Sequence, residues 1–392
     1  MKILRLAVVT THPIQYYAPI FQALARARAV VPRVFYTWSQ TAEAAVADPG
    51  FERAITWDIP LLEGYEHEFV PNTAPRPGTD HFGGLRNPGL IAAIEAWGAD
   101  AVLVFGWSLQ SHLQAMRHFK GRIPVFFRGD STLLKQGPWW RTLARRAALT
   151  WVYRHIDVAI AVGSNNKEYY RWCGVPAERV AFAPHAIDTR RFADPDGAHA
   201  RRALQWRSEL GIPPESRVIV FAGKFQQQKD PLLLLEAFKR CQAPGHLVLV
   251  GNGVLEGALR ASAADHAGIR FLPFQNQQAM PAVYRVGEVF VLPSRSETWG
   301  LALNEAMTAR RPLIASSQVG AARDLITARN GWTFESGNLE QLAAVLKNAL
   351  ECDPVTLDAM SAASEAESAR WSTDAAAAGI EAAVVKFTRV SR

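Results

Sequence analysis

Four charged side chains carry the chemistry open to this sequence: Lys224, Lys229, Glu297 and Glu305. The two glutamates lie in the run Ser294–Met307, which follows the short apolar stretch Val289–Leu292 and contains Gly300-Leu301. Gly300 reads as a helix start, whose first N–H groups lack partners inside the helix and can hold a phosphate. Glu305 then lies five residues in, roughly 7.5 Å along the axis. From there a carboxylate can grip ribose hydroxyls while the helix start holds a diphosphate. Glu297 stands on the other side of that start, where the group beyond the diphosphate would be. The competing reading is a pair of solvated glutamates, since a spacing of eight also arises by chance.

The lysines belong to Gly223-Lys224-Phe225-Gln226-Gln227-Gln228-Lys229-Asp230, between the strand-like Arg217–Ala222 and a helix starting at Pro231. Two cations with no obvious local acid partner can neutralise a diphosphate leaving group, Lys acting as a point charge. A surface loop with exposed lysines is the alternative. The pattern GxxxxGK[ST] is absent. Gly251-Asn252-Gly253 with Gly257, after Leu247–Val250, suggests a loop whose backbone N–H groups cradle a nucleotide. As a dinucleotide fingerprint it fails, because no acid ends the following strand and Asp265 falls inside a helical stretch.

These loops need strands to carry them. Short apolar runs (Leu4–Thr10, Ala101–Phe105, Pro124–Phe127, Val158–Val162, Arg217–Ala222, His246–Val250, Val289–Leu292) alternate with helical patterns. That rhythm implies an α/β fold with parallel sheets covered on both faces, and ligands in such sheets bind at the carboxyl ends of strands. Residues 194–216, rich in charge, Pro and Gly, read as a linker between an N-terminal domain (1–193) and a second domain (217–369). Asp230-Pro231 reads as an N-cap and first-turn proline. Tyr153–Val158 and Tyr284–Val289 echo one another, followed by Ser164 and Ser294, as in two similar halves; chance is the rival. Ala362–Val390 reads as Ala-rich helix.

The chain has 392 residues, 49% hydrophobic and 20% charged, with a net charge of +7. This excludes disorder as a description of the whole and points to anionic partners. Most of the excess lies in residues 1–200. Cys173, Cys241 and Cys352 form no CxxC pair, which disfavours a disulfide framework or zinc site. Met1–Val9 superficially resembles a signal peptide, but Arg5 and Thr10–Pro13 cut the apolar run, and a buried first strand fits better. No run approaches the ~18 residues of a spanning helix, so a cytoplasmic protein, at most peripheral to a membrane, is expected.

Taken together, these segments resemble the retaining glycosyltransferases of family 4, glycosyl transferases group 1. The resemblance rests on Phe221-Ala222-Gly223-Lys224 with Lys229-Asp230-Pro231, Leu249–Gly253, Phe271–Phe274, and Glu297 and Glu305 around Gly300-Leu301. Ser164, Gly174-Val175-Pro176 and Pro184–Phe192 extend it, so that it covers about Ser164 to Trp371. It implies the GT-B architecture, two Rossmann-like doubly wound domains facing a cleft, with a last helix (370–392) crossing back onto the N-terminal domain. It implies that Lys224 and Lys229 bind the donor diphosphate, Lys224 standing where Arg is more usual. Glu297 would touch the donor sugar and Glu305 the ribose. Trp299, Gly300 and Leu301 would give backbone contacts, Gly223, Gly251, Asn252 and Gly253 would lie against the donor, and Pro273-Phe274-Gln275 would border the base. The implied reaction is retaining transfer from a nucleotide sugar, UDP- or GDP-linked, to a hydroxyl of a glycan or lipid-linked acceptor, with neither cofactor nor essential metal. The Asp194-Pro195-Asp196 pattern of metal-dependent transferases falls in the linker, away from a strand end.

The N-terminal domain departs from the family. Thr11–Tyr17 replaces the usual glycine-rich loop, and Phe105-Gly106-Trp107 stands where a histidine is often found. His12, Gln15, Trp107, Arg128 and Asp130 are acceptor-side candidates, with helix capping and packing as the alternative. In Trp139–Arg154, Arg141, Arg145 and Arg154 can share a polar face and Trp140, Leu143 and Ala147 another, as in a helix on an anionic bilayer. The alternative is a solvated basic face over a buried aromatic one. Two further readings stay open: a catalytically inactive nucleotide-sugar-binding subunit, motivated by these departures, and a nucleotide-sugar epimerase. Nucleic acid is not an expected partner, because the basic charge is discontinuous and no stacking module occurs.

Overall fold

Short apolar runs bounded by turn residues form central parallel strands, because such strands are covered on both faces and need no polar alternation. The computed structural model describes residues 2–39, 46–48, 53–135 and 137–390. It contains two units. The first comprises Met1–Val46, Pro60–Ala186 and Ser372–Arg392; the second comprises Ala47–Ile59 and Ile187–Trp371.

Among the described residues, the sheet of the first unit has seven strands: β1 (Leu4–Thr10), β2 (Val30–Tyr36), β3 (Glu66–Phe69), β4 (Ala101–Phe105), β5 (Val125–Arg128), β6 (Val158–Ala161) and β7 (Val180–Phe182). Their order is β3-β2-β1-β4-β5-β6-β7, all parallel, with Val8 opposite both Val34 and Leu103. Side chains alternate between two cores. Leu6, Val8, Leu103, Phe126 and Ile160 enter one, and Ala7, Val9, Val104, Phe127 and Ala161 enter the other. The last helix, Thr373–Val390, lays Ala376, Ala377, Ile380, Ala383 and Val384 on the first of these cores. Glu381 Oε1 accepts the Ala29 N–H at 2.6 Å.

The second unit holds β8 (Val218–Ala222), β9 (His246–Val250), β10 (Ile269–Leu272), β11 (Val289–Leu292), β12 (Leu313–Ser316) and β13 (Gly331–Phe334). Their order is β10-β9-β8-β11-β12-β13, again parallel. Strand order reverses between β8 and β11 here, and between β1 and β4 in the first unit. At such switch points the loops leaving neighbouring strands diverge and open a crevice at their carboxyl ends.

Three sequence expectations need correction. Residues 194–216 are not an irregular linker, since Ala198–Glu209 is a helix of the second unit and the chain passes between units at Ala186–Ile187. Ala362–Val390 is not one helix. Pro354–Ser368 ends in a 3₁₀ turn, Ala369–Trp371, where the buried Trp371 ring packs on Trp299 at 5.2 Å. The echoed segments lead into β6 and β11. These strands are not equivalent, as β11 adjoins β8 at its switch point whereas β6 lies two places beyond β4. Asp230 and Pro231 take the expected N-cap and first-turn positions, with Asp230 in the left-handed region, φ 52° and ψ 45°, and no side-chain cap bond. Its carboxylate instead takes Arg295 at 2.7 and 3.2 Å.

Candidate active site

The loop after β8 carries Gly223, Lys224 and Lys229, and the loop after β11 carries Glu297, so the two loops flank the switch point of the second unit. They are stitched together by the Arg295 N–H to Gln228 O (2.8 Å) and by Gln228 Nε2 to Ser296 O (2.7 Å). Lys229 Nζ lies 2.5 Å from Glu297 Oε1 and 2.9 Å from Oε2, both side chains being largely buried. Lys229, which has no obvious acid partner in its local sequence, finds one in Glu297. The sequence hid this partner because it lies 68 residues away and is brought close only by strand order. Lys224 is half-buried on the same loop.

Glycines set the close approaches. A Cβ on Gly251 would sit 2.1 Å from Gly223 O, and Gly251 has φ +137°. The Gly223 N–H donates to Val250 O, the Phe225 N–H to Asn252 O and the Gly251 N–H to Leu272 O. The loops after β8, β9 and β10 thus form one backbone-lined floor that contains Gly223, Asn252 and Gly253. It continues into Pro273, Phe274 and Gln275, with Gln275 Nε2 on Pro273 O at 3.0 Å.

Gly300 caps the helix Leu301–Thr308 with φ +100° and ψ +61°, and the Leu303 N–H closes on Gly300 O at 2.9 Å, so the Leu301 and Ala302 N–H groups stand ahead of the first bond of the helix. Trp299 turns inward, its Nε1 donating to Asn304 Oδ1 at 2.8 Å, so only its backbone faces the loop. The Glu297 backbone is held from both sides, by the Glu297 N–H to Gln318 O and the Gly320 N–H to Glu297 O. Glu305 is 2% exposed, and Tyr284 Oη donates to its Oε2 at 2.5 Å. Tyr284 was missed by the sequence reading, since a buried tyrosine 21 residues upstream leaves no local signal.

At the switch point of the first unit, His12 follows β1 and packs edge-on against Trp38 at 5.7 Å, and burial lowers its pKa. Gln15 is half-buried in the next turn, and Trp107 after β4 packs against the core. Arg128 departs from its acceptor-side reading. It is buried, and its guanidinium donates to Ala183 O at 2.7 Å and Pro184 O at 2.8 Å, so it braces backbone rather than presenting charge. Asp130, half-buried, shares a charged cluster with Arg128, Tyr17 and His185. Burial pushes the Tyr17 phenol up to about 12, with Asp130 adding to the rise.

The Asp-Pro-Asp pattern is consumed structurally. Asp194 accepts the His199 and Ala200 N–H groups at 3.0 and 2.9 Å and pairs with Arg285, while Asp196 accepts the Ala198 N–H. Asp265 pairs with Lys239 at the surface. Among the described residues, no group of three or more His, Cys, Asp or Glu gathers to hold a metal, and no helix is long and apolar enough to cross a membrane.

On Trp139–Tyr153 the buried face is Leu149, Val152 and Tyr153. The aromatic side is the exposed one, with Trp139 at 78%, Trp140 at 54%, Leu143 at 59% and Trp151 at 43%. The arginines flank it. Arg141 stacks on Trp140, Arg145 on Tyr169 and Arg146 on Trp172, at 4.9, 5.8 and 5.9 Å, while Arg154 is exposed at the helix end. The alternative that buried the aromatics beneath a basic face is not the arrangement formed.

Comparison with known proteins places the chain in a family and a fold. Residues 203–367 match the model "Glycosyl transferases group 1" and residues 45–191 match "Glycosyltransferase Family 4". The D-inositol 3-phosphate glycosyltransferase of Segniliparus rotundus is 29% identical over 215 residues, 52% of this chain and 46% of that protein. The enzyme of that name from Streptomyces scabiei is 30% identical over 254 residues, 60% and 55% of the two chains. The chain thus spans about half the length of the curated relatives it matches. Among solved structures, Anabaena HepE in complex with UDP and glucose gives a TM-score of 0.70 at 17% identity over 98% of this chain and 100% of that one. Sucrose-phosphate synthase from Thermosynechococcus elongatus gives 0.71 at 16% identity over 99% and 100%. At such identities the likeness speaks for the fold alone, which is GT-B. Two adjoining family models, the ordered site residues and the shared fold converge: the chain belongs to glycosyltransferase family 4, among the group 1 glycosyl transferases.

Proposed function

We propose that this protein is a retaining hexosyltransferase that moves a sugar from a nucleotide sugar to a hydroxyl acceptor. The observation that carries the reading is the meeting of Lys229 and Glu297 from adjacent strand ends, beside the helix that starts at Gly300 and bears Glu305. In this reading Lys224, Lys229 and the helix start neutralise the charge that develops on the departing diphosphate, an electrostatic role that needs no metal. The bond from the anomeric carbon to the phosphate oxygen breaks, and the acceptor oxygen bonds to that carbon on the same face. The acceptor proton passes to a donor phosphate oxygen. Glu297 holds sugar hydroxyls and Glu305 the ribose, roles unlike those of the facing carboxylate pair of a glycosidase. A UDP-sugar donor is supported by the UDP named in the HepE complexes, and a GDP-sugar is the other candidate.

The test is thermal-shift screening against UDP-, GDP-, ADP- and dTDP-sugars, followed by transfer assays. Collapse of transfer in folded Lys229→Ala and Glu305→Ala proteins is expected, and full activity in both would sink the reading. NMR of donor with enzyme alone distinguishes an epimerase, which inverts the sugar. Absence of both transfer and donor hydrolysis would mark an inactive binding subunit.

The acceptor in this reading is a glycan or lipid-linked precursor of polysaccharide biosynthesis, met at the cytoplasmic face of a membrane. His12, Gln15, Trp107 and Asp130 are the side chains offered to it. The support for peripheral attachment is the exposed Trp139, Trp140, Leu143 and Trp151 flanked by Arg141, Arg145 and Arg154. Aromatic rings at the interface and cations toward anionic headgroups are the chemistry of an interfacial helix. Binding to phosphatidylglycerol-containing vesicles but not to pure phosphatidylcholine, lost in a Trp139→Ala/Trp140→Ala double variant, is the expected result. Equal binding to both vesicle types would refute it.

A further inference from the structure

We infer that Tyr284 is a positioning residue for the nucleotide ribose, acting through Glu305. This rests on the reading of Glu305 as the ribose-holding carboxylate. The phenol donates to Glu305 Oε2 at 2.5 Å. Both side chains are buried, Tyr284 on the helix Met280–Arg285 and Glu305 on Leu301–Thr308.

The phenol is itself held. Its ring meets Phe290 of β11 edge-on at 5.1 Å and Phe192 at 6.0 Å. The next residue, Arg285, is pinned by its donation to Phe192 O at 2.8 Å and its pairing with Asp194. The hydroxyl is therefore aimed by ring packing from two elements and by the anchoring of its own helix. A carboxylate has about four lone-pair sites, so one phenolic bond fixes the plane of the group without using up its capacity to accept. A ribose diol brings two O–H donors to such a plane, and a carboxylate fixed beforehand loses less rotamer freedom on binding them. A glutamate without this brace could still accept from the diol, but it would pay the ordering entropy at the moment of binding.

The test compares binding of UDP and of 2′,3′-dideoxy-UDP by calorimetry, with the guanine pair used instead where the donor screen selects GDP. Wild-type protein is expected to favour the ribonucleotide by about tenfold or more, the loss expected when charged hydrogen bonds go missing. In Tyr284→Phe the ribonucleotide weakens by about three- to tenfold and the dideoxy compound stays within about twofold, so the preference shrinks. Donor KM rises while kcat stays within about twofold. Equal weakening of both nucleotides, or no change in either, overturns the inference. Glu305→Gln separates the two layers. If that variant keeps the wild-type preference, the ribose reading fails and Tyr284 falls with it. If it loses the preference while Tyr284→Phe keeps it, only the role of Tyr284 falls. No binding of either nucleotide by wild-type protein overturns both. Should Tyr284→Phe not fold, 3-fluorotyrosine at position 284 keeps the bond and changes its donor strength. A shift confined to the ribonucleotide supports the inference, and a shift common to both compounds refutes it.

Discussion

Lys229 Nζ and the two carboxylate oxygens of Glu297 form a bidentate ion pair, at 2.5 and 2.9 Å, between loops that leave adjacent strands β8 and β11. Each charge neutralises the other, so a diphosphate that uses Lys229 competes with Glu297 for it. Glu297→Gln is expected to bind UDP as well as wild type or up to about tenfold more tightly, while transfer falls by about a hundredfold or more. Lys229→Ala is expected to lose both. Calorimetry with UDP and initial rates check this; equal losses of UDP affinity in the two variants would contradict the competition.

Gly300 leads to a second expectation. Its φ is +100°, and a Cβ would lie 2.8 Å from Val319 Cγ1 and 3.1 Å from Leu292 Cδ2. Gly300→Ala should cost about 1–3 kcal/mol of stability and also weaken UDP, because the helix start shifts. Denaturant titration and nucleotide binding report the two effects; a variant as stable as wild type would remove the geometric argument.

Gly379 tests the attachment of the last helix. A Cβ there would approach Phe182 O at 2.6 Å and the Ala183 Cα at 2.9 Å. Gly379→Ala is expected to destabilise the protein by about 1–3 kcal/mol, as overpacking does. UDP affinity should not change, since the nucleotide-side residues belong to the other unit. A loss of UDP affinity matching the loss of stability would contradict that division.

Buried histidines set a pH dependence. Burial lowers His112 to about 4, against the smaller opposing pull of the Gly106 and Phe105 carbonyls. Burial also lowers His185 to about 4, with Asp130 opposing and Arg128 assisting. Each folded-state pKa lies below the unfolded value of 6.5, so the unfolded chain binds more protons between them. Stability is therefore full above about pH 6.5 and declines as pH falls toward 4, by up to about 3 kcal/mol for His112, with His185 acting in the same direction. Chemical unfolding at pH 7.5, 6 and 5 should show the midpoint falling; a flat profile would contradict neutral burial.

Central strands were legible because their apolar runs have no rival structure. Leu4–Thr10 and Val218–Ala222 read directly as strands. Other strands carry no such mark. β2 contains Pro32, which forfeits a ladder donor, and β3 is Glu-His-Glu-Phe at a sheet edge. The linker expectation failed because Gly and Pro at 194–197 and 211–214 punctuate the ends of a helix rather than fill an irregular segment. Asp230 stands at the N-cap that the sequence indicates, but its left-handed conformation sends the carboxylate to Arg295, a partner no local spacing announces.

By itself the sequence determined residue chemistry and local order. Gly300 is where a helix can begin, Glu305 follows at a fixed axial rise, and two lysines share one loop after a strand. These facts depend on neighbours a few residues apart, which helix and strand periodicity govern. Only the tertiary structure decided which distant groups meet. Sheet order set β8 beside β11 and so joined Lys229 to Glu297. Packing turned the Arg128 guanidinium inward to the Ala183 and Pro184 carbonyls, left Trp139 and Trp140 outside, and brought the Tyr284 hydroxyl to Glu305. Those pairings arise from strand order and burial, which depend on the whole chain at once and leave no mark at any one spacing.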